Sequence, residues 1–287
     1  MGLNTQLIGK QYPDATYEIT TEAIHKYAAA TNEDNPAFNG DPPVAPPAFP
    51  IVPAGAGIGN VMFDSDLGVN LALMVHGEED HVLHRPIGAG DKLTVKTNLE
   101  NVEIKESGET FTIAARLENE RGELAAEVRS LMFIRGTGSR SKSPDEEEPK
   151  RSYVFETESK VDADQTYRYA EASGDHNPIH VDEDFAKNAA GLPGIILHGM
   201  CTMAIASKAI LDGLCESDPT RLKRIKVRFS KPVFPGQTLT TRAWLESEQG
   251  DVKTYGFETL NPDGVPVIRN GAAEVGGSGG SSAANSI

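Results

Sequence analysis

Asp162 to His180 reads DADQTYRYAEASGDHNPIH, and Thr20 to Phe38 reads TTEAIHKYAAATNEDNPAF. Laid over one another at an offset of 142, the two stretches place Tyr27 under Tyr169, Asn35 under Asn177 and Pro36 under Pro178. A second match follows a few residues out of step: HRPIGAGDKL from His84 lies over SKPVFPGQTL from Ser230. Each half therefore runs helix, Asn-Pro loop, longer segment, strand, Pro-x-x-x-Gly turn and further strands, and duplication is the simplest account. Thr20 and Asp162 are expected to cap short helices, with Gln165 three residues after Asp162 as in a capping box. In the second of these helices Thr166 and Arg168 read as polar, with Tyr167, Ala170 and Ala172 available for packing.

Working outward, the run MCTMAIASKAIL after Gly199 stays mostly apolar for more than three turns, which predicts a helix buried nearly all round. Arg224 to Phe229 alternates strictly and predicts a strand with Ile225, Val227 and Phe229 inward. Leu93 to Ile104, Thr110 to Glu118, Ala125 to Ile134, Leu239 to Leu245 and Thr254 to Thr259 read as further antiparallel strands. Helices with a large antiparallel sheet, made twice, define an α+β class. The segment 136–150, GTGSRSKSPDEEEPK, has no apolar residue and reads as a linker. Residues 276–287, GGSGGSSAANSI, read as a disordered low-complexity tail. The expected units are thus 1–135, the linker 136–150, 151–275 and the tail.

Composition excludes several function classes. At 287 residues the chain holds one large or two ordinary domains. A net charge of −15 argues against nucleic acid and against an anionic membrane surface as partners. No apolar run approaches a membrane span and no secretory signal pattern opens the chain. Cys201 and Cys215 sit in one apolar segment and read as buried free thiols, which fits a reducing cytoplasm.

The chemistry concentrates in Asp175 to His180. Pro178 lacks an N–H and biases Asn177 toward extended backbone, so a forced turn rather than a regular helix is expected there. Asn177 can bond its own backbone and hold the loop. A carboxylate and an imidazole five positions apart on such a loop can converge on one small volume, as proton transfer requires. Gly199 opens the long helix, where unpaired N–H groups and partial positive charge gather. Arg224, Lys226 and Arg228 form a basic stripe on the outward face of their strand, with Lys231 beyond. On an acidic chain such a stripe reads either as a solvated face or as a contact for substrate phosphates.

The string ASGDHNPIHVD, then FA, then LHGM, resembles the hydratase signature of MaoC-like proteins, the (R)-specific 2-enoyl-CoA hydratases and 3-hydroxyacyl-thioester dehydratases. The resemblance implies a double hotdog fold, with each sheet wrapped around a long helix. It implies reversible hydration of a 2-enoyl thioester to the (R)-3-hydroxyacyl thioester, with Asp175 and His180 holding the water and moving its protons. The Gly199 N–H would meet the thioester oxygen as an oxyanion hole does. Asn177 would hold the loop or touch the water. No metal or redox cofactor is implied; coenzyme A or the phosphopantetheine of an acyl carrier protein is the substrate's own handle. A duplicated hotdog contains its own pseudo-dimer and so fits a monomer, while further pairing into a homodimer through the sheets is common in the family it resembles. A metal site of Asp175, His180 and His198 matches no compact zinc spacing, and His198 is left outside the catalytic set.

The first half departs from this pattern where it counts. Asn32 stands at the Gly174 position, Glu33 at Asp175 and Phe38 at His180, so the loop is expected to survive without the chemistry. In double-hotdog relatives the degenerate half shapes the acyl pocket, and Pro47 to Val52 resembles that half. A rival is a second site built from Glu33, His76, His81 or His84. Two other functions stay open: a thioesterase on the same fold, and a non-catalytic acyl-thioester-binding module.

Overall fold

The computed structural model describes residues 2–105, 108–136 and 151–277. The first half contains β1 (Ala15–Glu18), α1 (Thr21–Ala30), α2 (Pro36–Asn39), α3 (Ile51–Met62), β2 (Met74–Leu83), β3 (Lys92–Lys105), β4 (Gly108–Glu118) and β5 (Leu124–Arg135). The second contains β6 (Phe155–Lys160), α4 (Gln165–Ser173), α5 (Pro178–Val181), α6 (Gly199–Leu214), β7 (Leu222–Phe229), β8 (Thr238–Gln249), β9 (Val252–Leu260) and β10 (Pro266–Gly276). All these strands form one antiparallel sheet in the order β1-β3-β4-β5-β2-β7-β10-β9-β8-β6. The order is symmetric about the β2–β7 seam, so the duplication seen in the sequence is also a duplication of topology. At the seam Asp80 pairs in register with Lys226, the residue 146 positions later that the second sequence match places over it. The pseudo-twofold axis therefore passes through this pair.

Each half curls its strands over one long helix, as the double hotdog expectation requires. Along α6 the residues Met200 to Ser207, Ala209, Ile210 and Leu211 are all buried. Burying each large aliphatic side chain there contributes roughly 1.5–3 kcal/mol. Lys208 is the exception, and it reaches Asp34 of the first half and Asp212 of its own helix. In β7, Ile225 and Val227 are fully buried, while Phe229 is partly exposed.

Several local expectations are corrected. Pro178 does not exclude a helix but starts one: it occupies the first position of α5, where its missing N–H costs nothing. Asp162 does not cap α4, which begins three residues later. Gln165 does reach back to the Asp162 N–H at 2.9 Å, but the Asp162 carboxylate goes to Arg168 at 2.8 Å and to Asn32 of the first half at 3.0 Å. Thr166 is fully buried and Tyr167 is 45% exposed, the reverse of the expected roles. Gly276 ends β10, paired with Val252, and so belongs to the sheet and not to the tail. The expected linker from 137 onward and the tail from 278 onward lie outside the described residues.

Candidate active site

The loop between α4 and α5 is built by backbone rules. Gly174 ends α4 at φ +79°, a left-handed conformation that glycine adopts without strain, and its N–H returns to the Ala170 carbonyl. The Asp175 carboxylate accepts the Asn177 N–H at 3.1 Å. Asn177 in turn caps α5, its side chain facing the Ile179 N–H at 3.4 Å. Asn177 is exposed, and its side chain holds the turn. α5 then carries His180 inward, to 8% exposure, while Asp175 stays exposed at the mouth.

His180 is fixed at both ends of its residue. Its Nδ1 lies 2.8 Å from the Ile196 carbonyl, which only accepts, so Nδ1 carries the hydrogen and Nε2 keeps its lone pair. Its backbone carbonyl accepts from the Thr166 hydroxyl at 2.9 Å. Burial lowers the His180 pKa below 6.5, against opposing pulls from the Ile196 carbonyl and Asp175, so the ring is neutral near pH 7.

His198 supports this arrangement from beneath. Its ring stacks on His180 with centroids 3.8 Å apart, and against Tyr169 at 4.9 Å. Nε2 donates to the Asp175 backbone carbonyl at 2.9 Å, which ties the α6 end to the loop. Burial first, and the neighbouring His180 second, push its pKa down to about 4. Asp175, His180 and His198 each present a donor atom within 4.8 Å of the other two. His198, however, spends Nε2 on that carbonyl, and its Nδ1 faces the Thr166 hydroxyl at 3.3 Å, whose hydrogen goes to the His180 carbonyl. The Asp175 carboxylate and the His180 imidazole, the latter with its Nε2 lone pair unspent, thus approach within 4.8 Å of one another.

α6 starts at the residue after His198, and no side chain caps it. The N–H groups of Gly199, Met200 and Cys201 precede its first intrahelical bond, from Thr202 to His198. Gly199 is partly exposed, and the Phe229 ring lies where a methyl group at Gly199 would be only 3.4 Å away.

The basic stripe does not supply the expected free positive charge. Arg224 makes a two-pronged bond to Asp80, at 2.6 and 2.8 Å, and a third to Glu274 at 3.1 Å. Lys226 and Arg228 share Glu78 at 3.4 and 3.9 Å. These acids come largely from β2, so the stripe serves the seam, a partner that strand alternation alone cannot reveal. Thr166 and His198 are the site residues that the sequence reading left aside. The signal that could have found Thr166 is its place one turn before Tyr169 on the buried face of α4.

The first half repeats the loop without the chemistry. Asn32 adopts φ +55°, matching Gly174, and asparagine tolerates this region. Glu33 accepts the Asn35 N–H at 3.1 Å and Asn35 caps Ala37, as their counterparts do. Phe38 is fully buried where the imidazole would be.

Comparison with known proteins follows this division. The MaoC like domain family matches residues 145–261, and the FAS1-like, dehydratase domain region matches residues 6–128. The 3-hydroxyacyl-thioester dehydratase Y of Mycobacterium tuberculosis is 34% identical over 71% of this chain and 73% of its own length. The chain belongs to the MaoC-like hydratase and dehydratase family. The peroxisomal enoyl-CoA hydratase 2 of Arabidopsis thaliana is 36% identical over 61% of each chain, so this MaoC-like protein spans under two thirds of that relative. A MaoC-like dehydratase from Phytophthora capsici superposes with a TM-score of 0.80 at 30% identity, covering 96% of this chain and all of the other. A Mycobacterium tuberculosis protein with a double hotdog fold superposes at 0.61 with 11% identity, over 94% and 96% of the two chains, which shows the shared fold. Among the described residues of this family member, no helix is long and apolar enough to cross a membrane.

Proposed function

We propose that the protein reversibly adds water across the double bond of a 2-enoyl thioester, giving the (R)-3-hydroxyacyl thioester. The observation that carries this reading is the convergence of the Asp175 carboxylate and the His180 imidazole within 4.8 Å, beside an uncapped helix N-terminus. A water bridging the two would donate one hydrogen to Asp175 and the other to His180 Nε2. As its oxygen bonds to C3, the proton on the His180 side passes to Nε2 and the C2–C3 π electrons move into the thioester. The Gly199 N–H faces the oxygen on which that charge develops. The imidazolium then returns the proton to C2, so both added groups come from one water and the enzyme is restored. Nothing is oxidised or reduced, so no redox cofactor is called for, and no step requires a metal. Coenzyme A, or the phosphopantetheine of an acyl carrier protein, would be part of the substrate. The two buried, unpaired thiols support a reducing compartment such as the cytoplasm.

The test is hydration of crotonyl-CoA, followed as loss of enoyl-thioester absorbance, with chiral analysis of the product. The wild type should turn over. Asp175→Asn and His180→Gln should each lose on the order of 10²–10⁴ in kcat with unchanged circular dichroism. Free thiol in place of hydroxyacyl product would identify a thioesterase. Binding without turnover, across short, long and carboxylated enoyl-CoAs, would identify a non-catalytic module.

A further inference from the structure

β2 carries three linked side chains that the proposed reaction does not use. Glu79 is fully buried at the seam between two imidazoles: His76 Nε2 lies 2.8 Å from one carboxylate oxygen and His81 Nε2 2.8 Å from the other. His81 Nδ1 faces the Pro47 carbonyl at 3.1 Å, so both of its nitrogens meet acceptors. Burial would raise the Glu79 pKa, but the bonds from His76 and His81 overrule it and hold the group down at about 2. A buried carboxylate is costly unless it is fully paired, and this one is paired at both oxygens.

His76 is the outer end of this chain, with its side chain 23% exposed. Its ring meets Phe229 of β7 edge-on, with centroids 5.1 Å apart and planes at 67°. The same phenyl ring also lies beside Gly199, 3.4 Å from where a methyl group there would sit. Side chains thus run from Glu79 in one half, through His76 and Phe229, to the first residue of α6 in the other. The counterpart of His76 at the seam's repeat offset is Leu222, so this chain is not duplicated.

We propose that His76, anchored by Glu79, is a positioning residue for the site in the opposite half: it fixes the Phe229 ring against Gly199 and so keeps the Gly199 N–H aimed at the thioester oxygen. This assignment rests on the hydration reading. Having lost its own imidazole at Phe38, the first half serves the surviving site across the seam.

His76→Gln tests it in the full chain, because the Gln amide can occupy the Nε2 position and keep Glu79 paired while removing the ring. His76→Gln and Phe229→Leu should each lower kcat on crotonyl-CoA by about tenfold. KM should stay within about twofold, because the lost interaction belongs to the transition state. The double variant should be no slower than the slower single, since both act through one contact. In protein labelled with ¹⁵N-glycine, the Gly199 amide resonance should move in both single variants. An unshifted Gly199 resonance in His76→Gln, or kcat losses that multiply in the double variant, would overturn the proposal. A wild type that hydrates no enoyl-CoA would instead remove the hydration reading, and the amide resonance would still decide whether His76 positions Gly199.

Discussion

In the proposed reaction His180 acts as a base through one hydrogen bond, that of its Nδ1 to the Ile196 carbonyl. That bond selects the tautomer, and burial keeps the ring neutral. Activity should therefore be flat through neutral pH and fall only as acid protonates Nε2. A pH profile of kcat/KM should show an acid limb centred below 6.5, the ordinary value for this group, with about a tenfold loss per pH unit beneath it. A limb centred above 6.5 would mean that the Asp175 charge, and not burial, dominates the ring. At this scale the sequence is only partly legible. Asp175 and His180 could be named because a carboxylate, an imidazole and a turn residue at short spacing make a chemical pattern. The roles of Thr166 and His198 are harder to read, because their partners are backbone carbonyls of His180 and Asp175, and carbonyls have no sequence signature.

α6 isolates the contribution of a single N–H. Gly199 occupies the first helical position, where proline is tolerated because that N–H has no intrahelical partner. The preceding His198 already has φ −57° and ψ 137°, the extended conformation that a following proline imposes. Gly199→Pro should therefore leave the helix intact while deleting the proposed oxyanion donor. The expected loss is about 10²–10³ in kcat, the range for removing one such donor. Gly199→Ala keeps the N–H but sets a methyl group against Phe229, and should lose less. Equal losses in both variants, measured by steady-state kinetics with thermal melts as the control, would assign the effect to bulk alone. Strand legibility divides along similar lines. β3, β4, β5, β8 and β9 alternate apolar and polar residues and were readable. β2, as MVHGEEDHVL, follows from the repeat and not from alternation: its acids and imidazoles are satisfied by one another and by β7 and Pro47, which are distant in sequence.

The whole molecule is held together at that same strand. Duplication predicts two matching halves, but not that their joint would combine a partly exposed and a buried ionic layer. The outer layer is Arg224 with the buried Asp80 and with Glu274, and Lys226 with Glu78. A pair near solvent such as Lys226–Glu78 contributes little, about 0–1 kcal/mol. Glu79 differs because it is fully buried and doubly bonded. Its pKa is lower in the folded chain, about 2, than the ordinary 4.5, so the folded state binds its proton less readily than the unfolded state does. Its stabilisation is thus complete above about pH 4.5 and is lost as pH falls through about 2. The difference corresponds to a few kcal/mol, on the order of 3, at neutral pH, and part of it is gone by pH 3. Urea unfolding of the wild type and of Glu79→Gln between pH 7 and pH 3 tests this. The variant should be less stable at pH 7, by up to about 3–5 kcal/mol as when one partner of a buried pair is removed. The gap should hold down to about pH 4.5 and narrow below it, because the neutral amide has no proton to gain. Parallel curves would mean that Glu79 is protonated already at pH 7, and that a neutral bond closes the seam in place of a buried charge.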